Sequence, residues 1–254
     1  MVYLIGAGPG DPDLITVAGL KALQQCTAIV HDALASEDVL ALAPASALRI
    51  AMGKRGHSGG ADQADINTML IELAQAGHIV ARLKGGDPFI FGRGGEEIEA
   101  LAKAGIPFRV IPGISSAVAA PAALNIPVTH RELAASFAVI TAQRAVGMAP
   151  TPWHALAHLD TLVILMGASK IGEIAAELIG HGRSSDTPVA AIQSATTVNE
   201  RHVIGTLDTI AEQIKEAGLG APMVIIVGAV VSLHRELDSI KATDSNITPT
   251  CAQG

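Results

Sequence analysis

The stretch Arg82-Leu-Lys-Gly-Gly-Asp-Pro-Phe-Ile-Phe-Gly-Arg-Gly-Gly-Glu-Glu97 decides the fold, because it joins a predicted strand to a predicted helix through a glycine-rich loop. The apolar run at residues 78–83 predicts the strand, and a helical pattern begins near Gly94. Glycines let the backbone approach a ligand closely, and a plain linker would hardly combine charges with large apolar groups. Since open α/β sheets bind ligands at the carboxyl ends of their strands, we predict a binding loop here.

Short apolar runs alternate with helical patterns along the rest of the chain, which indicates an α/β fold with mostly parallel sheets. Apolar residues make up 49% of the chain and aromatic residues only 2%, so the core is predicted to consist of small aliphatic side chains. We predict an N-terminal α/β domain over residues 1–124, a C-terminal α/β domain over residues 125–240, and a polar tail over residues 241–254.

The composition argues against several classes of partner. A net charge of −7 and few aromatic rings disfavour a nucleic-acid-binding protein. The absence of a long apolar run and of a basic N-terminal region predicts a protein with neither a membrane span nor a signal peptide. Cys26 and Cys251 lack the spacing of a metal site, so we expect a reduced, cytoplasmic protein without a metal.

Polar residues follow several of the predicted strands. They are Asp32, Lys54, Asp87, Ser115 and Ser116, and parallel strands would bring them to one edge of a sheet. Basic residues also occur near these ends and near a predicted hinge at residues 125–131. This pattern predicts either ordinary solvated charge or a positive cleft for a polyanionic small molecule. The cations considered are Lys54, Arg55, Arg82, Lys84, Arg93, His130 and Arg131.

The first glycine loop suggests a nicotinamide oxidoreductase as an alternative. Its glycines, however, are Gly6, Gly8 and Gly10, a spacing that differs from the usual dinucleotide motif. Pro9 removes an N–H group that could face a pyrophosphate, and Asp32 is the nearest candidate for the acidic ribose ligand. A P-loop and a nucleophile elbow are both absent from the sequence.

Together the motifs resemble the tetrapyrrole methylases from residue 2 to about residue 237. The resemblance is carried by Val2-Tyr-Leu-Ile-Gly-Ala-Gly-Pro-Gly-Asp-Pro12, His31-Asp-Ala-Leu34, Gly53-Lys-Arg55, the stretch from Arg82 to Glu97, Ile111-Pro-Gly-Ile114 and Ile126-Pro-Val-Thr-His-Arg131. It implies two α/β domains with an active cleft between them, S-adenosylmethionine as methyl donor, a tetrapyrrole substrate and a homodimer.

The resemblance also implies a role for individual residues. Asp32 and Lys54 match the positions of a proton acceptor and a proton donor, although a simple ion pair between them is the structural alternative. The implied cofactor-binding residues are Pro9, Gly85, Gly86, Asp87, Ile90, Ser115, Ser116, Met166 and Ala195. Substrate carboxylates are expected to bind Arg55, Arg82, Arg93, His130 and Arg131 by charge-assisted hydrogen bonds. The chain departs from the family pattern at Ala33, Ser116, Gln143 and Ala195.

The activity implied by the resemblance is C-methylation of uroporphyrinogen III at C2 and C7, giving precorrin-2 by way of precorrin-1. A methylase of another precorrin or of a protein residue remains an alternative, as does the nicotinamide oxidoreductase. Because the sequence shows no additional N-terminal domain of the kind found in fused siroheme synthases, we expect this chain neither to oxidise nor to metallate its product.

Overall fold

The computed structural model describes residues 1–52, 62–143 and 147–234. The chain divides into two compact units. The first contains residues 1–119 and 195–198, and the second contains residues 120–194 and the chain from residue 199 onward. Each unit contains a five-stranded sheet with helices, which confirms the α/β class. The domain boundary after residue 124 stays a prediction, and the predicted tail lies outside the described residues.

The sheet of the first unit is entirely parallel, as the sequence predicts. Its strands have the order β3-β2-β4-β1-β5. Of the described strands that are consecutive in the chain, only β2 and β3 are neighbours in the sheet. The strands are β1 (Val2–Gly6), β2 (Ala28–His31), β3 (Leu48–Ala51), β4 (Val80–Lys84) and β5 (Phe108–Ile111). Their carboxyl ends therefore meet at one edge, where Asp32, Asp87, Ser115 and Ser116 follow their strands.

Three of the helices in the first unit begin after a residue whose side chain caps them. Thr16, Ser36 and Asp62 each accept a hydrogen bond from a backbone amide in the first turn that follows. The helices of this unit are α1 (Val17–Leu23), α2 (Glu37–Ala41), α3 (Gln63–Gln75), α4 (Gly94–Lys103) and the first half of α5 (Ser116–Ala123), which continues into the second unit. The helical pattern at residues 13–25 predicts one helix after β1, but the structure has a separate 3-10 turn (Pro12–Leu14) before the shorter α1.

Alternate side chains of β4 point to opposite faces of this sheet and pack in two different cores. Ala81 and Leu83 pack in the core that contains residues of α1 and α2. Val80 packs in a second core with side chains of α3 and α4. Because side chains alternate along a strand, Arg82 and Lys84 follow Val80 on the α3 and α4 face. Two cations are thereby buried at the carboxyl end of an otherwise apolar layer.

The sheet of the second unit differs from the predicted parallel arrangement. Its order is β6-β7-β10-β8-β9, and among the described strands only the β6–β7 pair is parallel. β8 and β9 are consecutive strands that pair directly, and β10 inserts between β7 and β8. The strands are β6 (Phe137–Thr141), β7 (Thr161–Leu165), β8 (Pro188–Gln193), β9 (Arg201–Thr206) and β10 (Met223–Val227).

Helices α6 (Trp153–Leu156), α7 (Ile171–Gly180) and α8 (Ile210–Glu216) belong to the second unit, followed by a 3-10 turn at Ala229–Ser232. Their apolar side chains pack on the central strands to form that unit's core. No helix in the described ranges has both the length and the apolar composition that a bilayer span requires.

Candidate active site

Three loops at the carboxyl edge of the first sheet touch through their backbones. Gly8 and Gly86 exchange hydrogen bonds, with N–O distances of 3.2 Å for the Gly8 amide and 2.7 Å for the Gly86 amide. A Cβ atom added to Gly6 or to Gly113 would overlap backbone atoms of the neighbouring loops. Glycine is therefore required where the loops after β1, β4 and β5 meet.

Asp87 holds two of these loops together. Its Oδ1 accepts a hydrogen bond from the Phe89 amide at 2.8 Å, and its Oδ2 accepts one from the Gly113 amide at 3.0 Å. The preceding Gly86 has a φ of 68°, the left-handed conformation that glycine adopts without strain. Both carboxylate oxygens thus bind backbone amides, so Asp87 shapes the loop whatever further contacts it makes.

The loop that carries Pro9 adjoins the segment 195–198, which clusters with the first unit. The Asp11 amide donates a hydrogen bond to the Thr196 hydroxyl at 3.3 Å, and the Ser36 hydroxyl donates one to the Gly10 carbonyl at 2.9 Å. Ala195 is thereby placed beside the same loop as Pro9. Thr196 and Ser36 were not predicted, since neither belongs to a local motif.

The loop residues predicted to bind the donor offer a surface that suits it. An atom added at Gly86 would lie 3.7 Å from the Ser116 amide nitrogen, at the start of α5. Ile90, in the loop after β4, is 43% exposed. Closely approaching backbone, the nearby Ser116 amide and an exposed apolar group fit an adenosyl ligand, which has both polar and apolar parts.

Other predicted residues lie in the second unit or outside the described ranges. Met166 follows β7 with a φ of 56°, and its side chain is exposed. Arg131 is exposed, and the Nδ1 of His130 accepts a hydrogen bond from the Glu132 amide at 3.3 Å. Lys54 and Arg55 are not among the described residues, so their predicted roles stay predictions.

Charged side chains of α4 and β4 form a cluster that is mostly buried. Glu97 Oε1 accepts hydrogen bonds from Arg82 Nε and from Lys84 Nζ, each at 2.9 Å, and from Gln63 Nε2 at 3.3 Å. Arg82 Nη2 in turn donates to Asp32 Oδ1 at 2.6 Å. We call Asp32, Arg82, Lys84 and Glu97 the Glu97 cluster.

Within the Glu97 cluster, Arg82 is placed differently from what the sequence suggested. Its side chain is only 2% exposed, and its guanidinium binds Asp32, Glu97 and, at 3.5 Å, the Val30 carbonyl. Burial and these contacts leave it unable to meet a substrate carboxylate directly. Asp32, predicted as the proton acceptor, is 31% exposed, and its partner among the described residues is Arg82.

Lys84 and Arg93 have different environments, because Lys84 is buried and Arg93 is exposed. Burial lowers the pKa of the Lys84 ammonium, and the nearby Arg82 charge acts in the same direction, while Glu97 opposes both. Arg93 lies at the surface and forms two hydrogen bonds with Glu96, of 2.9 and 2.6 Å. These bonds raise the pKa of Arg93 and lower the pKa of Glu96. Arg93 is thus accessible for substrate binding, unlike Arg82.

Comparison with known proteins agrees with this site. The family model described as Tetrapyrrole (Corrin/Porphyrin) Methylases matches residues 1–211. The chain is 48% identical over 233 residues to uroporphyrinogen-III C-methyltransferase from Priestia megaterium, covering 91% of this chain and 98% of that one. It is 45% identical over 245 residues to siroheme synthase 1 from Klebsiella pneumoniae, covering 96% of this chain but only 52% of that longer protein.

A solved structure is also similar. Uroporphyrin-III C-methyl transferase from Thermus thermophilus, complexed with S-adenyl homocysteine, superimposes with a TM-score of 0.79 at 38% identity. The match covers 91% of this chain and 93% of that one. With the family model matching most of the chain and the expected loops assembled at one sheet edge, the chain belongs to the tetrapyrrole (corrin/porphyrin) methylases.

Proposed function

We propose that this chain transfers methyl groups from S-adenosylmethionine to C2 and C7 of uroporphyrinogen III, giving precorrin-2 by way of precorrin-1. The observation that carries the proposal is the 48% identity with uroporphyrinogen-III C-methyltransferase, which extends over 98% of that protein. The loops at the carboxyl edge of the first sheet support it, because they combine close backbone contact with an exposed apolar side chain.

The donor, when bound, supplies an electrophilic methyl group on a sulfonium. Pro9, Gly85, Gly86, Asp87, Ile90, Ser115, Ser116, Met166 and Ala195 are the residues that we propose hold it. Positioning contributes most to the rate: aligned reactants can save roughly 7–11 kcal/mol of barrier. The rigid loop made by Asp87 and its two amide partners would keep the donor in place.

Proton transfer is the second task of the chain. Asp32 follows β2 and is partly exposed, so its carboxylate can accept a proton from the macrocycle. Lys54, which follows β3 in the sequence, is proposed as proton donor. Arg55, Arg93, His130 and Arg131 are proposed to bind substrate carboxylates, whereas the buried Arg82 binds Asp32 and Glu97 instead. We further propose that the enzyme is a cytoplasmic homodimer, which light scattering on the purified chain would test.

The reaction is tested by incubating the purified protein with uroporphyrinogen III and S-adenosylmethionine under reducing conditions. We expect a product with two added methyl groups by mass spectrometry. Asp32→Asn is the informative variant, since it keeps the size of the side chain and removes the base. Methylation of a different precorrin, or of a protein residue, with none on uroporphyrinogen III would contradict the proposal.

A further inference from the structure

The Glu97 cluster places four charged groups in and beside an apolar core. Side-chain exposure is 0% for Glu97, 2% for Arg82 and 3% for Lys84. Glu97 Oε2 is buried and has no hydrogen-bond partner in the described part of the chain. A buried carboxylate oxygen without a partner is expensive, and such groups call for a specific explanation.

Stability does not explain the cluster. Removing two charges from water costs several kcal/mol per ion, and buried ion pairs can often be replaced by well-packed apolar residues without loss. The core around the cluster is apolar, with Val80, Leu4 and Leu101 all fully buried. An apolar side chain at position 82 would fit the alternation of β4, so a charge there needs another reason.

The cluster leads from the core to one accessible group. Asp32 is 31% exposed, whereas the other three members are almost completely buried. Arg82 connects the two regions: Glu97 binds its Nε, the Val30 carbonyl lies 3.5 Å from its Nη1, and Asp32 binds its Nη2. A planar guanidinium with bound groups on three nitrogens has little freedom to rotate.

We propose that Arg82 is a positioning residue for Asp32, and that Glu97 and Lys84 hold Arg82 in place. Arg82 binds Oδ1 of Asp32, while Oδ2 has no hydrogen-bond partner among the described residues. One oxygen is therefore fixed to the core and the other is left for the substrate proton. The inference rests on the proposed function, in which Asp32 is the proton acceptor.

Arg82→Lys tests the inference, because lysine keeps the charge but cannot bind three partners in one plane. We expect kcat to fall by about 10- to 100-fold, as misplaced catalytic groups do, while affinity for S-adenosylhomocysteine changes little. Arg183→Lys is the matched control: Arg183 is also buried, and its guanidinium binds the carbonyls of Leu159, Asp160 and Val227. Its variant should lower the thermal midpoint but leave kcat of the folded protein within about twofold.

A double-mutant cycle separates positioning from a general structural role. If Arg82 acts through Asp32, Arg82→Lys should slow turnover in the wild-type background and cost no further rate in the Asp32→Asn background. Glu97→Gln, which keeps the size of the side chain, should act in the same direction as Arg82→Lys. It takes the place of Arg82→Lys in the cycle should that variant fail to fold.

Equal loss of rate in both backgrounds would overturn the inference, as would normal turnover of a folded Arg82→Lys protein. Normal turnover of Asp32→Asn would overturn both the role of Asp32 as base and the role of Arg82 as its positioning residue. Even then, a wild-type product with two added methyl groups would leave the proposed reaction standing. Failure of wild-type methylation would instead remove the proposed function itself.

Discussion

At the scale of single residues, Asp87 is predicted to bind the donor and also stabilises the conformation of its own loop. Its two oxygens bind the amides of Phe89 and Gly113, so it supports from within the loop that we propose binds the donor. We predict that Asp87→Ala weakens S-adenosylhomocysteine binding and also lowers the thermal midpoint. Each charge-assisted bond that is lost costs about 1.5–3 kcal/mol. Asp87→Asn keeps one acceptor. It should therefore change both the dissociation constant for S-adenosylhomocysteine and the thermal midpoint less, and calorimetry measures both. An unchanged dissociation constant for Asp87→Ala would contradict this role.

Lys84 gives a prediction about alkaline stability. Burial lowers its pKa below the ordinary 10.5, so the folded chain releases this proton at lower pH than the unfolded chain does. Between the lowered pKa and 10.5 the unfolded state binds more protons, and the free energy of unfolding contributed by Lys84 rises with pH.

Cys26 acts in the opposite direction. Burial raises the pKa of its thiol above 9.0, so its contribution to stability falls as pH rises past 9.0. The test therefore compares Cys26→Ala with Cys26→Ala/Lys84→Met by urea unfolding at about pH 8 and about pH 10. We expect the alkaline rise in stability to be smaller in the double variant. An equal rise in both proteins would exclude Lys84 as its source.

At the scale of elements, the meeting of three strand-end loops sets a strict requirement for glycine. A Cβ at Gly113 would overlap the Gly86 carbonyl oxygen and the Gly6 backbone. We predict that Gly113→Ala destabilises the protein by about 1–3 kcal/mol, the usual cost of overpacking, and weakens S-adenosylhomocysteine binding. Denaturant unfolding and calorimetric titration measure the two effects.

Gly95 is the matched control for that variant. It lies in the first turn of α4, where an added Cβ would have no atom within 4 Å. Gly95→Ala should be neutral or stabilise the protein by up to about 1 kcal/mol, because alanine is the better helix former. Similar losses from both substitutions would mean that crowding at the loops is not the cause.

The start of β6 and the start of β7 are joined by Asp160. Its Oδ2 accepts hydrogen bonds from the Ser136 hydroxyl, the Ser136 amide and the Ala135 amide, at 2.8, 2.9 and 3.0 Å. These bonds, the Ser136 hydroxyl first, lower the pKa of Asp160 below its ordinary 3.8. A carboxylate with a lowered pKa stabilises the fold above 3.8, and that stability is lost as pH falls through the folded pKa.

We predict that Asp160→Asn makes the thermal midpoint less sensitive to pH in the acid range. Scanning calorimetry at about pH 5 and about pH 3 checks this, with the exposed Asp186→Asn as control. If the thermal midpoints of the wild-type and Asp160→Asn proteins depend on acid pH in the same way, Asp160 is not the source of that dependence.

At the scale of the whole molecule, an acidic chain is proposed to bind a polyanionic substrate. The net charge of −7 repels a polyanionic substrate as it approaches the protein. Accessible cations such as Arg93 and Arg131 must therefore provide local attraction. We predict that KM for uroporphyrinogen III rises with ionic strength, since salt screens exposed charges. Arg131→Gln should raise KM and weaken its dependence on salt. The exposed Lys215→Gln is the control, and equal salt slopes in all three proteins would contradict the prediction.

The sequence by itself determined the features that depend on neighbours in the chain. The apolar runs at residues 108–111, 188–193 and 223–227 predict three strands, and these are β5, β8 and β10 with the same bounds. The glycine-rich stretch, through its motif, indicated the family that the comparisons confirm. Local patterns of this kind are set by side-chain periodicity and by backbone freedom, which are properties of short segments.

Only the tertiary structure decided which distant residues meet. The pairing of β10 between β7 and β8 made the second sheet mostly antiparallel, and no short segment specifies such a partner. Likewise Arg82 seemed available to a substrate until its position on β4 placed it between Glu97 and Asp32. Strand order and helix placement set these contacts, because they bring together groups 15 and 50 residues apart that no local pattern relates.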